Sequence, residues 1–466
     1  MYSLSENWEN EQASIRSIEV FLKQFRFGSA LKASHIHKSK GIPAYAILTY
    51  LLSLAFKGKS MFQDMRGKEP LANGFSKDTV YRVMGMAHVN WQTLLLTMAA
   101  RVASFFAKLS AEGRLNAFVI DDSMYPRLNG KKVELASVCY DHADGKHKYK
   151  TGFRMLTLAF TDGFSLVPLA FRHMSSRDGK LRVCGADPSV DRRSCGGRIR
   201  AEALQKSTDL IIPMLKRALS FGIPAKHVLF DCWFANPCTV IAVAGLGLKA
   251  VCRIKNGKAK YLFEDGRKTV SQIYRSCRKR RGRSKYLLSV GIRIPGNDGA
   301  ALPARLVYVR DRNNRKKWIA LLSTDMELPE EEIIRLYGKR WDIEVFFKMC
   351  KSYLKLTCEF QQLSYDAITA HTTVVMLRYM MLAVEKRKLK DPRSLAEMFF
   401  DFYDEAADIK FEQAIRLVHS LLCDIVRNPL IGLTETQIDL ILQEFILALP
   451  IYIRKCIAPD KHTVVA

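Results

Sequence analysis

The sequence YGKRWDIEVFFKMCK, which runs from Tyr337 to Lys351, combines an apolar helical pattern with charged residues at regular spacing. On a helix that turns about 100° per residue, four polar side chains fall within about 60° of one another: Tyr337, Arg340, Glu344 and Lys351. We call these four residues the polar stripe. Apolar side chains cover much of the remaining circumference, whereas a surface helix has one broad polar side. The stripe therefore indicates a close polar partner, such as a metal ion or phosphates, or else a row of ion pairs that faces water.

The composition is that of a basic globular protein. The 466 residues include 73 Lys and Arg against 46 Asp and Glu, which gives a net charge of +27. Such a surplus predicts attraction to a polyanion, and nucleic acid is the commonest one. The densest basic run, RKRRGRSK from Arg278 to Lys285, is equally consistent with a solvated loop and with a phosphate contact.

Several features argue against a secreted or membrane protein. The chain has 11 cysteines and no CxxC pair, which fits a reduced cytosolic setting. The first twelve residues are polar and acidic, unlike a signal peptide. The apolar segment 367–384 is interrupted by His371 and Arg378, and this favours a core helix over a membrane span.

The chain changes character along its length. Residues up to about 112 show helical spacing, and Ser76 is a good N-cap for a short helix that resembles either the second helix of a helix-turn-helix or an ordinary capped helix. Short strand-like runs follow, then a helix at about 201–220, and strand-like runs again across 250–325. From Pro329 onward the pattern predicts a helix through the polar stripe, then helices at roughly 365–388, 393–407, 411–426 and 434–449.

Two acidic positions follow short apolar runs that have the composition of strands. LNAFVI at 115–120 is followed by Asp121, Asp122 and Ser123, and VLF at 228–230 is followed by Asp231. At strand ends in an open α/β sheet, side chains leave the core and point into a crevice. Carboxylates gathered there can hold Mg²⁺. Each Asp alone is also a common turn former, so no single acid establishes a site.

The spacing Y-x2-R-x3-E-x6-K of the polar stripe resembles the signature of DDE transposases of the insertion-sequence-four family. The lead-in LLSTDMELPEEEIIRLYGKRWDIE, from Leu321, is similar to that family as well. So are VIDDSMYPR at the first acid and LFDCWFANP at the second. The resemblance spans about residues 115–352, and the order and spacing of its motifs are more specific than any single motif.

The resemblance implies an α/β fold with a ribonuclease-H-like catalytic core, interrupted by a β-rich insertion and flanked by helical N-terminal and C-terminal regions. The expected divisions are a helical DNA-binding region at 1–112, the first part of the core at 113–248, the insertion at 249–325, the second part of the core with the Glu helix at 326–362, and the helical C-terminal region at 363–466.

The resemblance also implies a catalytic triad of Asp122, Asp231 and Glu344, which would bind two Mg²⁺ ions, with Mn²⁺ able to substitute. Asp121 stays an alternative to Asp122, because the pleat of a strand turns only one of two neighbours toward a site. Asp122 is preferred because the relatives usually place Thr or Ser directly after the catalytic Asp, and Ser123 follows it here.

The remaining implied site residues would contact DNA. Tyr337, Arg340 and Lys351 would contact the phosphates beside the cut, where Arg suits a bidentate contact and Lys a point charge. Trp318 matches a Trp of hairpin-forming relatives that stacks on or near a flipped base. Packing in the core is an equally good interpretation of Trp318.

The function that the resemblance implies is cut-and-paste DNA transposition of an insertion sequence, by metal-dependent phosphodiester hydrolysis and strand transfer. The expected partners are double-stranded DNA, as terminal inverted repeats and as target, and a second copy of the chain in a homodimer on DNA. The expected location is the bacterial cytoplasm, at the nucleoid when bound to DNA, with no membrane. Two alternatives stay open: a related two-metal DNA nuclease, and a non-catalytic DNA-binding protein derived from a transposase.

Overall fold

The computed structural model describes most of the chain between residues 13 and 449. The described residues are 13–37, 40–57, 60–65, 74–110, 114, 116–141, 148–280, 284–296, 299–311, 314, 317–360, 362–388, 394–396, 398–399, 418–428 and 431–449. The predicted helices at 393–407 and 411–426 lie largely outside these residues.

The described part of the chain contains one mixed sheet of eleven strands. The strands are β1 (Ala117–Pro126), β2 (Ser137–Tyr140), β3 (Tyr149–Thr161), β4 (Leu166–Met174), β5 (His227–Phe230), β6 (Lys249–Ile254), β7 (Lys260–Phe263), β8 (Gly266–Thr269), β9 (Leu288–Pro295), β10 (Ala301–Arg310) and β11 (Trp318–Ser323). Their order is β2-β3-β1-β5-β6-β11-β10-β9-β7-β8, and β4 also pairs with β3. The fold is therefore α/β with a large mixed sheet.

Helices precede the sheet, connect its strands and follow it. They are α1 (Ala13–Gln24), α2 (Phe27–Ala33), α3 (Ala44–Leu54), α4 (Met61–Met65), α5 (Lys77–Met84), α6 (Trp91–Leu109), α7 (Cys195–Ala203), α8 (Ser207–Ser220), α9 (Pro237–Ala244), α10 (Val270–Ser276), α11 (Glu330–Gly338), α12 (Asp342–Ser352), α13 (Tyr365–Lys388) and α14 (Glu435–Ala448). The predicted N-cap is confirmed, since the Ser76 hydroxyl accepts from the backbone N–H of Thr79 at the start of α5.

Strand β1 lies in the middle of the first half of the sheet. It is antiparallel to β3 and parallel to β5, and β5 is parallel to β6. Residues Ala117–Ile120 are buried because strands pair with them on both sides. β3 and β4 form an antiparallel hairpin, and Gly163 in its turn has φ of 86°, a conformation that glycine adopts without steric cost.

The strands predicted between residues 250 and 325 continue the same sheet. β11 pairs with β6, and β10, β9, β7 and β8 follow in antiparallel order. The predicted runs at 251–254, 286–294, 304–309 and 318–322 correspond to β6, β9, β10 and β11. Because β6 pairs with both β5 and β11, the sheet continues across the expected insertion boundary. The division into domains stays a prediction.

Helix α13 is a core helix, as predicted for residues 367–384. Its length and composition would allow it to cross a membrane, yet its most apolar window is 100% buried in the protein. Arg378 lies within it at 0% exposure and pairs with the Glu359 carboxylate. The same guanidinium donates to the carbonyls of Leu51, Leu52 and Leu354, so it ties α13 to the end of α3.

The segment that contains the polar stripe is two helices rather than the single helix predicted. Helix α11 ends at Gly338, a 3-10 turn follows at Lys339–Trp341, and α12 begins at Asp342. Glycine has a low helix propensity, which is consistent with a break at this position. Tyr337, Arg340 and Lys351 each contact β1 or the residue that follows β5, and Glu344 pairs with Arg340.

Candidate active site

Two acids lie side by side where the parallel strands β1 and β5 stop pairing. The last paired residues are Ile120 and Phe230, so Asp121 and Asp231 follow at the same level. β1 does not end at Ile120 as predicted, but continues along β3 to Pro126. Beyond Ile120, β1 no longer pairs with β5, and this opens a crevice beside Asp121 and Asp231.

The pleat of β1 separates Asp121 from Asp122. Asp121 and Ser123 point toward the polar stripe: Arg340 Nη1 lies 2.8 Å from Asp121 Oδ2, and Lys351 Nζ lies 2.7 Å from Ser123 Oγ. Asp122 instead accepts from Arg154 of β3, with Nε 3.1 Å from Oδ2. Alternation along β1 thus places Asp121 at the stripe and Asp122 at Arg154, and which of the two is the catalytic acid stays a prediction.

The other two contacts of the polar stripe complete the cluster. The Tyr337 hydroxyl lies 3.4 Å from Asp231 Oδ1, and Arg340 Nη2 lies 2.6 Å from Glu344 Oε1. The stripe therefore has the close polar partner that its spacing predicts, namely the acids of β1 and β5. The i, i+4 ion pair of Arg340 with Glu344 also exists, but only 11% of the Arg340 side chain is exposed, so it does not simply face water.

The acids and three of the stripe residues, Arg340, Glu344 and Lys351, line an open cleft of about 940 Å³. Six further basic or aromatic side chains line it: Arg154, Lys348, Tyr140, Trp233, Phe234 and Phe347. Asp122 lines the cleft too, through its pair with Arg154. Carboxylates and basic side chains thus line the same cleft, a combination suited to a phosphodiester and cations.

Burial dominates the electrostatics of Asp121. It raises the pKa of this carboxyl to about 7, although Arg340 and the backbone N–H of Asp122 favour the charged form. The negative charges of Asp122 and Asp231 add to the rise. Burial also lowers the pKa of Lys351. Oppositely charged groups are thus partly buried together, and pKa shifts of this kind are typical of functional sites.

The donor chemistry fits a divalent cation, although no closed ligand set is formed. Among the described residues, no three His, Cys, Asp or Glu side chains are grouped as a metal site. Instead the guanidinium of Arg340 bridges Asp121 and Glu344, and these carboxylates already hold a positive charge between them. Carboxylate oxygens are the ligands that hard divalent ions prefer, so the three acids suit such an ion chemically.

Trp318 and Trp233 differ in their surroundings. Trp318 stacks on Tyr274 with ring centroids 4.9 Å apart, packs edge-on against Tyr308, and is not among the residues that line the cleft. Its base contact stays a prediction. Trp233 is 65% exposed and lines the cleft two residues after Asp231. Sequence reasoning missed it, although an aromatic so close to a candidate acid was a visible signal.

Comparison with known proteins gives one family. The family model described as DDE superfamily endonuclease matches residues 46–295, which is more than half of the chain. The match contains both strand acids, Asp121 and Asp231, and ends before the polar stripe. No curated protein matches the chain significantly.

Proposed function

We propose that this chain, which belongs to the DDE superfamily endonucleases, is a transposase that cuts DNA at the ends of an insertion sequence and joins those ends to a target. Within the superfamily we assign it to the insertion-sequence-four group, on the Y-R-E-K spacing of the polar stripe. We further propose that its core is ribonuclease-H-like. The strand order β4-β3-β1-β5-β6, with β1 antiparallel to β3 and parallel to β5, supports this.

One observation carries the proposal. Three acids from separate elements, β1, the end of β5 and α12, face one cleft, and every residue of the polar stripe contacts an acid or its strand neighbour. A row of structural ion pairs would not need carboxylates from three distant parts of the chain. A site that holds cations against a phosphodiester does.

The carboxylates of Asp121, Asp231 and Glu344 would hold divalent ions, which we propose to be two Mg²⁺ with Mn²⁺ as a substitute. When bound, such ions activate an attacking water or hydroxyl and stabilise the leaving oxygen of a phosphodiester. The protein fixes the acids by register: β1 and β5 set Asp121 beside Asp231, and α12 brings Glu344 to them through Arg340.

The basic side chains would bind the phosphates beside the cut. Lys351 is positioned by its bond to Ser123, and its compact ammonium suits a single phosphate oxygen. Arg340 has a planar guanidinium that can turn part of its donor set toward a phosphate while it keeps one carboxylate. The Tyr337 hydroxyl, beside Asp231, can donate to a phosphate oxygen at the same level.

The proposed partners follow from this chemistry. The substrate is double-stranded DNA, as terminal inverted repeats and as target, and the net charge of +27 favours binding of several DNA segments. Because two ends must be joined together, we propose a homodimer on DNA, acting in the cytoplasm.

The test uses labelled duplexes taken from the DNA that flanks the gene on each side. Purified protein is incubated with each duplex and Mg²⁺ or Mn²⁺, and cleavage is mapped on a sequencing gel, with DNA affinity measured separately. We expect cleavage at the ends of a terminal repeat, and its loss in Glu344→Gln, Asp231→Asn and Asp121→Asn while binding persists.

Asp122→Asn is the matched control, because it removes the adjacent carboxylate. It should keep measurable cleavage, since Asp122 pairs with Arg154 and not with the stripe. Full activity in Asp121→Asn with loss in Asp122→Asn would reverse the assignment of the first acid. Binding with no cleavage in any metal would favour the non-catalytic alternative, and cleavage without strand joining would favour the nuclease.

A further inference from the structure

We propose that the outer face of the β7–β9 region is a second DNA-contact surface, which binds the phosphate backbone outside the cleft. We call it the basic face and define it as Lys255, Lys258, Lys260, Arg267 and Arg293. This inference rests on the proposed function, because it assigns a surface for the same substrate.

Strand register places three of these bases on one side of the sheet. Leu262 of β7 pairs directly with Arg267 of β8 and with Arg293 of β9. The side chains of Leu262, Arg267 and Arg293 therefore lie on the same face of the sheet. Lys260 lies two residues before Leu262 and therefore has the same orientation. The four bases Lys260, Arg267, Arg293 and their neighbour Lys258 are all exposed.

The opposite side of the same strands is apolar and buried. Tyr261 and Phe263 of β7, and Ile292 and Ile294 of β9, are each at most 9% exposed. Burial of these residues fixes the phase of the strands, and so the bases cannot turn inward. Lys260, Arg267 and Arg293 are thus held on the sheet surface, and Lys255 and Lys258 lie in the connection between β6 and β7.

The charges of the basic face are not neutralised by ion pairs among the described residues. In the part of the chain that the structure describes, none of its five members forms an ion pair, whereas the neighbouring Lys268 pairs with Glu264. Like charges placed together are unfavourable unless a polyanion covers them. By contrast, the RKRRGRSK run is partly engaged: Arg280 lies over the Tyr286 ring, and Lys285 pairs with Glu331. Residues 281–283 of that run lie outside the described residues.

The basic face begins next to the candidate active site. β6 pairs with β5 up to Cys252 and Phe230, so Arg253 follows at the level of Asp231. Lys255 comes two residues later and opens the exposed segment that leads to Lys260. A strand of DNA whose phosphate lies at Asp231 can therefore continue past Arg253 onto the basic face.

The occupant that fits is the DNA backbone rather than an acidic protein. The face offers exposed, flexible cations and one half-buried apolar residue, Leu262, so it lacks the apolar core of a protein interface. Backbone contacts of this kind strengthen binding of any sequence and depend steeply on salt.

The test is the salt dependence of DNA binding by Arg267→Gln/Arg293→Gln. Anisotropy of a labelled duplex is measured at several salt concentrations, in chelator so that no cleavage occurs. Each lost phosphate contact should lower the slope of log affinity against log salt by about 0.9, so we expect a decrease of about 1.8 and about tenfold weaker binding or more at moderate salt. Circular dichroism and the unfolding midpoint check that the variant is folded.

The matched control is Lys216→Gln/Lys226→Gln. These two exposed lysines lie at the end of α8 and just before β5, at the opposite end of β5 from Asp231. An equal decrease in the slope for both variants would overturn the inference, since only net charge would then matter. An unchanged slope in Arg267→Gln/Arg293→Gln, with wild-type cleavage intact, would overturn it and leave the proposed function standing. A selective decrease in a protein that never cleaves would support the surface while the catalytic proposal fails.

Discussion

Replacing Asp121 with Asn is expected to make the folded protein more stable. Burial raises the pKa of Asp121 from the usual value of 3.8 to about 7, even with Arg340 beside it. Asn resembles a carboxyl that is always neutral, but its single amide oxygen can accept from only one of the two donors, Arg340 or the backbone N–H of Asp122, which contact different oxygens of Asp121. A shift of about three units at 1.36 kcal/mol per unit amounts to about 4 kcal/mol, which is the expected upper limit of the gain at pH 8.

The sign of the pH dependence follows from proton binding. Because the folded pKa is raised, the folded protein holds a proton on Asp121 more tightly than the unfolded chain does. The free energy of unfolding of the wild type should therefore decrease, through Asp121, as the pH rises from about 4 to about 7. Asp121→Asn has no such loss, so its advantage over wild type should approach zero near pH 4 and level off above pH 7.

The assay is urea unfolding of both proteins between pH 4.5 and 8.5, in chelator so that no divalent ion binds the carboxylates. Asp122→Asn serves as the control and should change stability in the opposite direction. It breaks the pair with Arg154, whose partners are 23% and 17% exposed, so we expect a loss of about 1 kcal/mol. If Asp121→Asn were destabilising at pH 8, or if Asp122→Asn gave the larger gain, the orientation of β1 argued above would be refuted.

Two further predictions concern the core that supports the site. Arg378→Met should cost about 3–5 kcal/mol in the free energy of unfolding, because it leaves the Glu359 carboxylate buried beside His371 alone; the double variant with Glu359→Gln should recover part of this loss in urea unfolding. Burial, with Arg127 nearby, lowers the pKa of His173 to about 3. The free energy of unfolding should therefore fall by up to about 1.4 kcal/mol per pH unit as the pH falls below 6.5. His173→Gln lacks this loss, so its stability relative to wild type should rise as the pH falls, measured by urea unfolding over the same pH series.

Long elements could be predicted from the sequence because their patterns are decided locally. Helices α13 and α14 are long and rich in apolar residues, and their bounds match the predicted ones closely, although α13 is buried on all sides rather than along one face. The strands β7 and β8 were missed. Each has four residues, and GRKT in β8 has no apolar pattern at all. Such strands form because β9 and β7 offer hydrogen-bond partners, and a single short segment does not encode that.

The relation between the polar stripe and the acids was predictable because it depends on spacing along one segment. The choice between Asp121 and Asp122 was not, because both follow the same apolar run and a strand exposes each to an opposite face. The register with β5 and the contacts of Arg340 and Lys351, which come from more than 200 residues away, favour Asp121, and the assignment of the first acid stays a prediction. The resemblance pointed to Asp122 through Ser123, and only the folded neighbours distinguish the two.

Asp121, the alternative to Asp122 in the sequence, is a position where local stability is sacrificed. It occupies a strand position that an apolar residue could fill, and its carboxylate is held there against burial by the Arg340 guanidinium and the backbone N–H of Asp122. An arrangement that costs stability persists only when the surrounding structure fixes it, as the two-sided pairing of Ala117–Ile120 does here. A buried ion pair selected for stability would be matched in charge, whereas Arg340 faces Asp121, Glu344 and, one strand away, Asp231. The excess of negative charge at this one point is what a cation-dependent DNA-cleaving site requires, and it gives Asp121→Asn its two opposite expected effects, a gain in stability and a loss of cleavage.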